Sequence, residues 1–296
     1  MPESPWYLVR QGRTSEAKCA LFQLSTTDVS SQNALSSILC TIDHEKSYAT
    51  SGQGPSIFDA FRGPDLRRLI ISIMVFQLQP LSGSTLYISY SVYFFEILGL
   101  SSASAFTMKL YLTIMGFLGT ILAWPIMSAL GRRPILITGS ATLAFLLFLI
   151  GAFDMISAVD KPISATYIQA SLVVLANFIY DLSTGPLCFV ILTEMPSPKT
   201  RGLTLAISNV CAAATNVFFA VGIPFLLNRD QANWDGKVGF LFAVTGVMCT
   251  GWCWLCLPES KGRTSGELDV LFEREVDSRR FEGYDIARVE SEEDWF

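Results

Sequence analysis

The chain has 296 residues, of which 51% are hydrophobic and 16% charged, with a mean hydropathy of +0.42. That is too apolar and too poor in charge for a soluble domain of this size, so the class is membrane protein. The net charge of −5 is uneven, because 12 acids and 6 bases follow from Pro258 on; the tail carries −6 and the remainder +1. The acidity belongs to that tail, and nothing in the balance points to nucleic acid.

In chain order, no apolar h-region follows Met1, so no signal peptide is expected. Residues 1–66 read as a cytosolic segment, within which Ser25 to Ser56, rich in Ser, Thr, Gln and Asn, is expected to be mobile. Six apolar runs of about 20 residues then follow, the length that crosses a bilayer as a helix. They are Leu69 to Leu98, Phe106 to Leu130, Pro134 to Ile156, Thr166 to Thr193, Leu203 to Leu227 and Lys237 to Leu257, a six-helix domain over 67–257. The expected class is an all-α membrane protein.

Short cytoplasmic loops collect Lys and Arg. One side holds Arg62, Arg67, Arg68, Arg132, Arg133, Lys199, Arg201, Lys261 and Arg263, whereas the other has Lys161 and Arg229, with Lys109 and Lys237 at helix ends. Both termini are therefore expected in the cytosol. Residues 258–296 form the acidic tail, and "TSGELDVLFEREVDSRR" pairs Thr264 with Glu267 at capping-box spacing and repeats Leu268, Leu271, Phe272 and Val276 at helical steps. An amphipathic helix against the inner mouth of the bundle is expected.

Polar groups inside the spans carry the functional reading. In the first span Gln79, Ser82, Thr85 or Leu86, Tyr90 and Tyr93 recur at three- and four-residue steps and so fall on one face. Such a face suits a sugar, since each hydroxyl donates and accepts and a tyrosine ring offers a flat surface to a pyranose; the competing reading is a helix–helix hydrogen-bond seam. Pro80 cannot donate to the Phe76 carbonyl, so a kink is expected there, and Pro186 leaves the Leu182 carbonyl in the same position. Gly116 and Gly119 in the second span read as a close-approach seam.

Asp181 stands 13 residues before Glu194, roughly 20 Å deeper along a helix axis, and reads as the one intramembrane carboxylate. It is expected either to face the cavity or to serve as a structural acceptor. Asn209 and Asn216, seven residues apart on one face of the fifth span, either touch substrate or pack helices. Glu194 with Arg201 across a short turn, and Arg132 and Arg133 on the same side, read as a latch that pairs and parts, or as anchors to headgroups.

Cys188, Cys211, Cys249, Cys253 and Cys256 fall in apolar runs and read as packing. Cys253 and Cys256 form a C-x-x-C, but the only histidine is His44, so neither a metal nor a cofactor is expected. No nucleophile, base or metal set lies within the spans, so an enzyme is not expected.

"PESPWYLVRQGR", "GRRP", "GPLCFVILTEMPSPKTRG" and "LPESKGRT" resemble the sugar porters of the major facilitator superfamily, and "SVYFFEILGL", "YDLSTGPLCF", "FLLNRDQANWDGKVGF" and "ELDVLFE" resemble their fungal maltose and general α-glucoside permease branch. The resemblance covers the family's central loop plus its carboxy-terminal six-helix half, from the first residue to about Phe281. It implies a multi-pass protein of the plasma membrane moving maltose-like sugars by alternating access, with proton coupling, and working as a homodimer or with a separate amino-terminal half. A family motif in the first span is met by Gln79, Ser82 and Gly83, while Pro80 and Thr85 depart from it in a way that fits the α-glucoside branch.

The resemblance also puts Asp181 where the family carries an acid that contacts sugar or couples helix motion, and Phe189 where it has an aromatic closing the inner side of the sugar. It implies the Glu194, Arg201, Arg132 and Arg133 network, with Ser128 in place of the usual Asp. A sugar sensor and an inactive truncated half-transporter are the alternatives; sensors of this type typically carry longer tails.

Overall fold

A run of about 20 apolar residues becomes one straight helix only if the backbone ladder can close along it; four of the six runs contain an internal proline, at 80, 125, 186 and 224, and two of those four break. The computed structural model describes residues 3–24, 34–36, 38–39, 42, 57–156, 163–228, 230, 232, 234–263 and 265–281. His44, Lys161, Arg229, Thr264 and the tail past Phe281 lie outside the described residues. Among the described residues every regular element is helical.

The chain forms two compact units, Met1–Asp59 and Ala60–Phe296. In the first, α1 (Pro5–Arg10) and α2 (Thr14–Leu24) bury Leu8, Val9, Ala17, Ala20 and Leu21 together with Ile38 and Ile42. The stretch 25–56, expected to be mobile throughout, therefore contains helical residues whose isoleucines complete a small core.

Among the described residues of the second unit, five helices are long and apolar enough to cross a membrane: Ser102–Ala129, Arg132–Met155, Ile163–Glu194, Arg201–Leu227 and Asp235–Cys256. The expected first span is instead three consecutive helices, α3 (Gly63–Leu81), α4 (Ser84–Ser89) and α5 (Ser91–Ile97). Then come α6 (Ser102–Ala129), α7 (Arg132–Ile156), α8 (Ile163–Leu182), α9 (Thr184–Glu194), α10 (Arg201–Leu227), α11 (Val238–Cys256) and α12 (Ser265–Glu273).

The first break falls two residues after Pro80. Gly83 takes φ +82°, a left-handed conformation open to glycine without penalty, and Phe242 packs 3.0 Å from where a Cβ would stand. Four carbonyls at the break find donors: Leu78 from the Ser82 N–H, Gln79 from the Ser82 hydroxyl at 2.9 Å, Pro80 from the Gly83 N–H, and Leu81 from the Thr245 hydroxyl at 2.7 Å. An apolar environment demands this accounting. The second break, at Ser183 between α8 and α9, lies three residues ahead of Pro186; Pro186 thus falls in the first turn of α9, where a missing N–H costs nothing.

The layout follows from which faces are apolar. The most extensive packing pairs α7 with α11, α6 with α8, and α3 with α10, while α8 also packs on α7 and α9 on α3. Gly119 lets α6 reach α8, since a Cβ there would stand 2.8 Å from the Phe178 carbonyl oxygen. Leu268, Leu271, Phe272 and Phe281 of the tail are buried with Ile71, Val75, Ile135 and Leu187 of the bundle, Val276 packs partly against them, and Arg68 pairs with Asp269 at 2.5 Å.

Candidate functional site

The two breaks bring polar residues to one groove of about 430 Å³, lined by Gln79 and the residues of α4 (Ser84, Thr85, Ile88, Ser89), by Tyr180, and by Asn216, Val217 and Ala220 of α10. No charged side chain is among them. The volume lies within the range of small-molecule sites, and the donors and acceptors are neutral amides and hydroxyls. Thr85 donates to the Asn216 side-chain oxygen at 3.2 Å, and the Gln79 amide reaches the Gly185 carbonyl at 3.4 Å. These are long, exchangeable bonds, such as a polyol can replace.

Of the residues expected to bind substrate, then, Gln79, Thr85 and Asn216 meet. The others go elsewhere, because the first span is not one continuous helix and its three- and four-residue periodicity ends at Ser82. Ser82 is buried; its hydroxyl satisfies the Gln79 carbonyl and approaches the Tyr87 hydroxyl at 3.5 Å. Tyr90 donates to the Ala220 carbonyl at 2.8 Å, which Pro224, four residues on, cannot serve. Asn209 faces out and bonds its own helix at Leu205. Phe189, half exposed, packs edge-on against Phe76 at 5.2 Å.

Asp181 also lies off the groove. It accepts from Asn177 at 3.0 Å, Asn177 donates to the Leu112 carbonyl at 3.2 Å, and a Cβ at Gly116 would collide with the Asp181 carboxylate. The acid thus sits in the α6–α8 seam, the geometry of a structural acceptor. Nor is it the one carboxylate inside a span: Asp154 of α7 is buried, beside Gly236 and Gln169, at the far end of the bundle. Its place one turn from the end of its run hid it among interface residues.

Sequence reasoning missed Ser84 and Ser89, which the turn at Gly83 aims into the groove with the rest of α4, and Tyr180 near the end of α8. Tyr180 is held edge-to-face against Tyr87 at 5.5 Å. Lys109, read as an interface anchor, donates to the Ile88 carbonyl at 2.7 Å.

The basic end carries the second set. Arg132 pairs with Glu194 at 3.0 Å, and the other Glu194 oxygen accepts from the Ser260 hydroxyl at 2.6 Å. Arg201 lines the same pocket as Glu194 and Arg132 but makes no ion pair with Glu194. Arg133 turns away to donate to the Trp254 carbonyl at 2.8 Å. Glu259, which the sequence reading passed over, accepts from the backbone N–H groups of Arg132 (2.9 Å) and Arg133 (3.1 Å), placing a carboxylate on the positive end of α7. A Cβ at Gly131 would collide with that carboxylate, which explains the glycine before the two arginines. The signal was available in "LPESKGRT", an acid beside a span end opposite a helix start.

Residues 1–272 match the model of a family described as sugar (and other) transporter. A general alpha-glucoside permease of Saccharomyces cerevisiae is 32% identical over 285 residues, covering 95% of this chain and 45% of the relative. An alpha-glucosides permease of the same yeast is 31% identical over 286 residues (95% and 46%), and a maltose permease 29% (95% and 45%). The chain spans about half the length of the curated relatives it matches.

Among solved structures, the proton:xylose symporter XylE bound to 6-bromo-6-deoxy-D-glucose aligns with a TM-score of 0.68 at 24% identity, covering 92% of this chain and 55% of that one. An inward-open XylE from E. coli aligns at 0.60 and 22% identity, covering 92% and 52%. The fold is that of major facilitators, and the protein is integral to the membrane and multi-pass.

Proposed function

Because the chain belongs to the sugar (and other) transporter family, we propose that it forms one six-helix half of an α-glucoside transporter and holds sugar in the groove of Gln79, Thr85 and Asn216. The observation that carries this is a neutral groove lined with amides and hydroxyls at the joints of two broken helices, the kind of place where transporters bind. Maltose-like sugars are the proposed cargo, supported by the α-glucoside and maltose permeases among the relatives. A sugar hydroxyl takes over the Thr85–Asn216 bond, and Tyr180 gives a ring face beside it.

In this reading α3 to α5 together make the first of six spans and α8 with α9 the fourth, with both termini cytosolic and the protein in the plasma membrane. Residues 1–66 and 258–296 then flank the 67–257 bundle in the cytosol. The groove opens and closes by alternating access; the Arg132–Glu194 pair, with Arg201 lining the same pocket, latches the cytosolic side, while Arg133, expected in the same latch, is turned to Trp254. Proton coupling is part of the proposal, and a proton entering down the membrane potential supplies about 2.3 kcal/mol per 100 mV. Asp181 couples helix motion through the α6–α8 seam rather than touching sugar.

A second six-helix unit, either a separate amino-terminal half or a second copy of this chain, closes the groove. Its docking faces are those of α6 and α10, of which only 22% is buried in each case, against 56% for the third span. The test is uptake of labelled maltose, glucose and a larger α-glucoside in a transport-deficient yeast, by this chain with and without an amino-terminal half, and by Gln79→Ala and Asp181→Asn. Saturable maltose uptake that Gln79→Ala weakens is the expected result. No uptake under any condition removes the carrier reading, and saturable uptake by a reconstituted monomer removes the need for a second unit.

A further inference from the structure

A larger groove lies on another face of the bundle, between α7 and α11. It measures about 820 Å³ and shares no lining residue with the sugar groove. Its floor is made of small residues, Ala141, Ala144 and Gly251, and its walls of Phe148, Phe240 and Trp254. Thr250, the polar residue in it, donates to the Gly246 carbonyl at 2.8 Å and lies 3.0 Å from the Ser140 hydroxyl, so it offers little to a ligand. The groove is a channel for hydrocarbon. From Phe240 to Trp254 it runs 14 residues, about 21 Å of helix axis, longer than the roughly 15 Å of hydrocarbon in one leaflet.

The chemistry changes at the Trp254 end. The Arg279 guanidinium lies over the Trp254 ring, 4.1 Å from its centroid, and Arg133 donates to the Trp254 backbone carbonyl while its Nε is buried without a partner. Neither arginine pairs with a carboxylate among the described residues. Two acids of the basic end are engaged elsewhere: Glu259 holds the first N–H groups of α7, and Glu194 holds Arg132 and Ser260. A tryptophan at this position belongs to the interfacial belt. An apolar channel of this length therefore ends, at the basic end of the bundle, beside two positive charges that pair with no carboxylate among the described residues.

We propose that this groove is a binding site for an anionic phospholipid of the leaflet at the basic end, one acyl chain lying along α7 and α11 and the phosphate meeting Arg133 and Arg279. Charge complementarity decides the occupant. A sterol brings no anion to the guanidinium groups, and a zwitterionic headgroup brings no net charge. The inference does not depend on the sugar reading.

The test uses the full chain in lipid bilayers with spin-labelled phosphatidylserine or phosphatidylcholine, reading the immobilised fraction by electron paramagnetic resonance. Phosphatidylserine is expected to be retained roughly fivefold more strongly, the contribution of about one guanidinium at a membrane surface, and the preference falls in high salt. Arg279→Gln brings the two lipids near parity. Val247→Trp, at a residue lining the groove and exposed to 63%, reduces retention of phosphatidylserine without lowering the thermal stability of the chain. Equal retention of both lipids by the unaltered chain overturns the proposal, as does a preference that survives both substitutions, or displacement of phosphatidylserine by a sterol.

Discussion

Pro80 and Pro186 lie beside helix breaks, whereas Pro125 and Pro224 lie near the ends of α6 and α10, which run on unbroken through them. All four remove the same backbone donor. The difference lies in the surroundings. Beside Pro80, Gly83 supplies a left-handed residue, and the Ser82 and Thr245 hydroxyls take the carbonyls that a break releases. In α10 the carbonyl that Pro224 cannot serve, that of Ala220, accepts from Tyr90, and the helix stays intact to Leu227. A proline in an apolar helix makes one carbonyl available; whether the helix stops there depends on what donates to it and on whether a neighbour can turn.

The comparison can be broken most forcefully at the seam that holds the second break in place. Gly119→Leu drives a side chain into the Phe178 carbonyl and the Asp181 Cβ, and is expected to cost about 3 kcal/mol or more, seen as a fall in thermal midpoint in detergent. Gly222→Leu in α10, where nothing lies within 4 Å, should stay within about 0.5 kcal/mol. Equal losses at the two glycines would mean that the α6–α8 approach is not what seats the break.

Gly83→Ala tests the first break. It imposes a left-handed residue with a Cβ against Phe242, an expected loss of about 2 kcal/mol together with weaker sugar binding, because α4 swings out of the groove. Unchanged stability and binding would show that the break does not depend on that turn.

Tyr90→Phe leaves the Ala220 carbonyl without its donor, at a cost of about 1.5 kcal/mol. In a Pro224→Ala background, where the restored N–H serves that carbonyl, the same substitution should cost well under half as much. A double-mutant cycle with no coupling would assign Tyr90 some other role.

The smallest effect is expected at the basic end. Arg132 and Glu194 keep 23% and 29% of their side-chain exposure, so Glu194→Gln should lower stability by under about 1 kcal/mol, and less in high salt. If that end acts as a latch, its signature is in transport, as a raised rate of cytosolic opening measured by cysteine accessibility in the groove.

Much of this was legible in the chain. The apolar runs end within a few residues of where α6, α7, α10 and α11 end, because a 20-residue apolar stretch flanked by arginines has few other solutions. Gln79, Thr85 and Asn216 stood out as polar groups where polarity is costly, and the tail helix as a leucine and phenylalanine repeat. Ser82 and Tyr90 were placed on one helical face; the left-handed Gly83 rotated the chain that follows it, Tyr90 included, and Ser82, just ahead of the turn, satisfies the Gln79 carbonyl instead. Asp181 was left between a cavity and a structural acceptor's role, because a sequence shows that an acid must be satisfied but not by whom.

By itself, then, the sequence determined that the chain is an apolar, helical membrane protein, which ends are charged and which residues carry hydrogen-bonding capacity, since these are set by transfer energies residue by residue. The kinks expected at Pro80 and Pro186 fall within three residues of the two breaks; only the tertiary structure decided that the helices continue through Pro125 and Pro224, and which polar groups face the groove rather than a neighbouring helix. That choice rests on donors and close approaches contributed by other helices, such as Thr245 for Leu81, Tyr90 for Ala220 and Gly116 for Asp181, and no local pattern contains them.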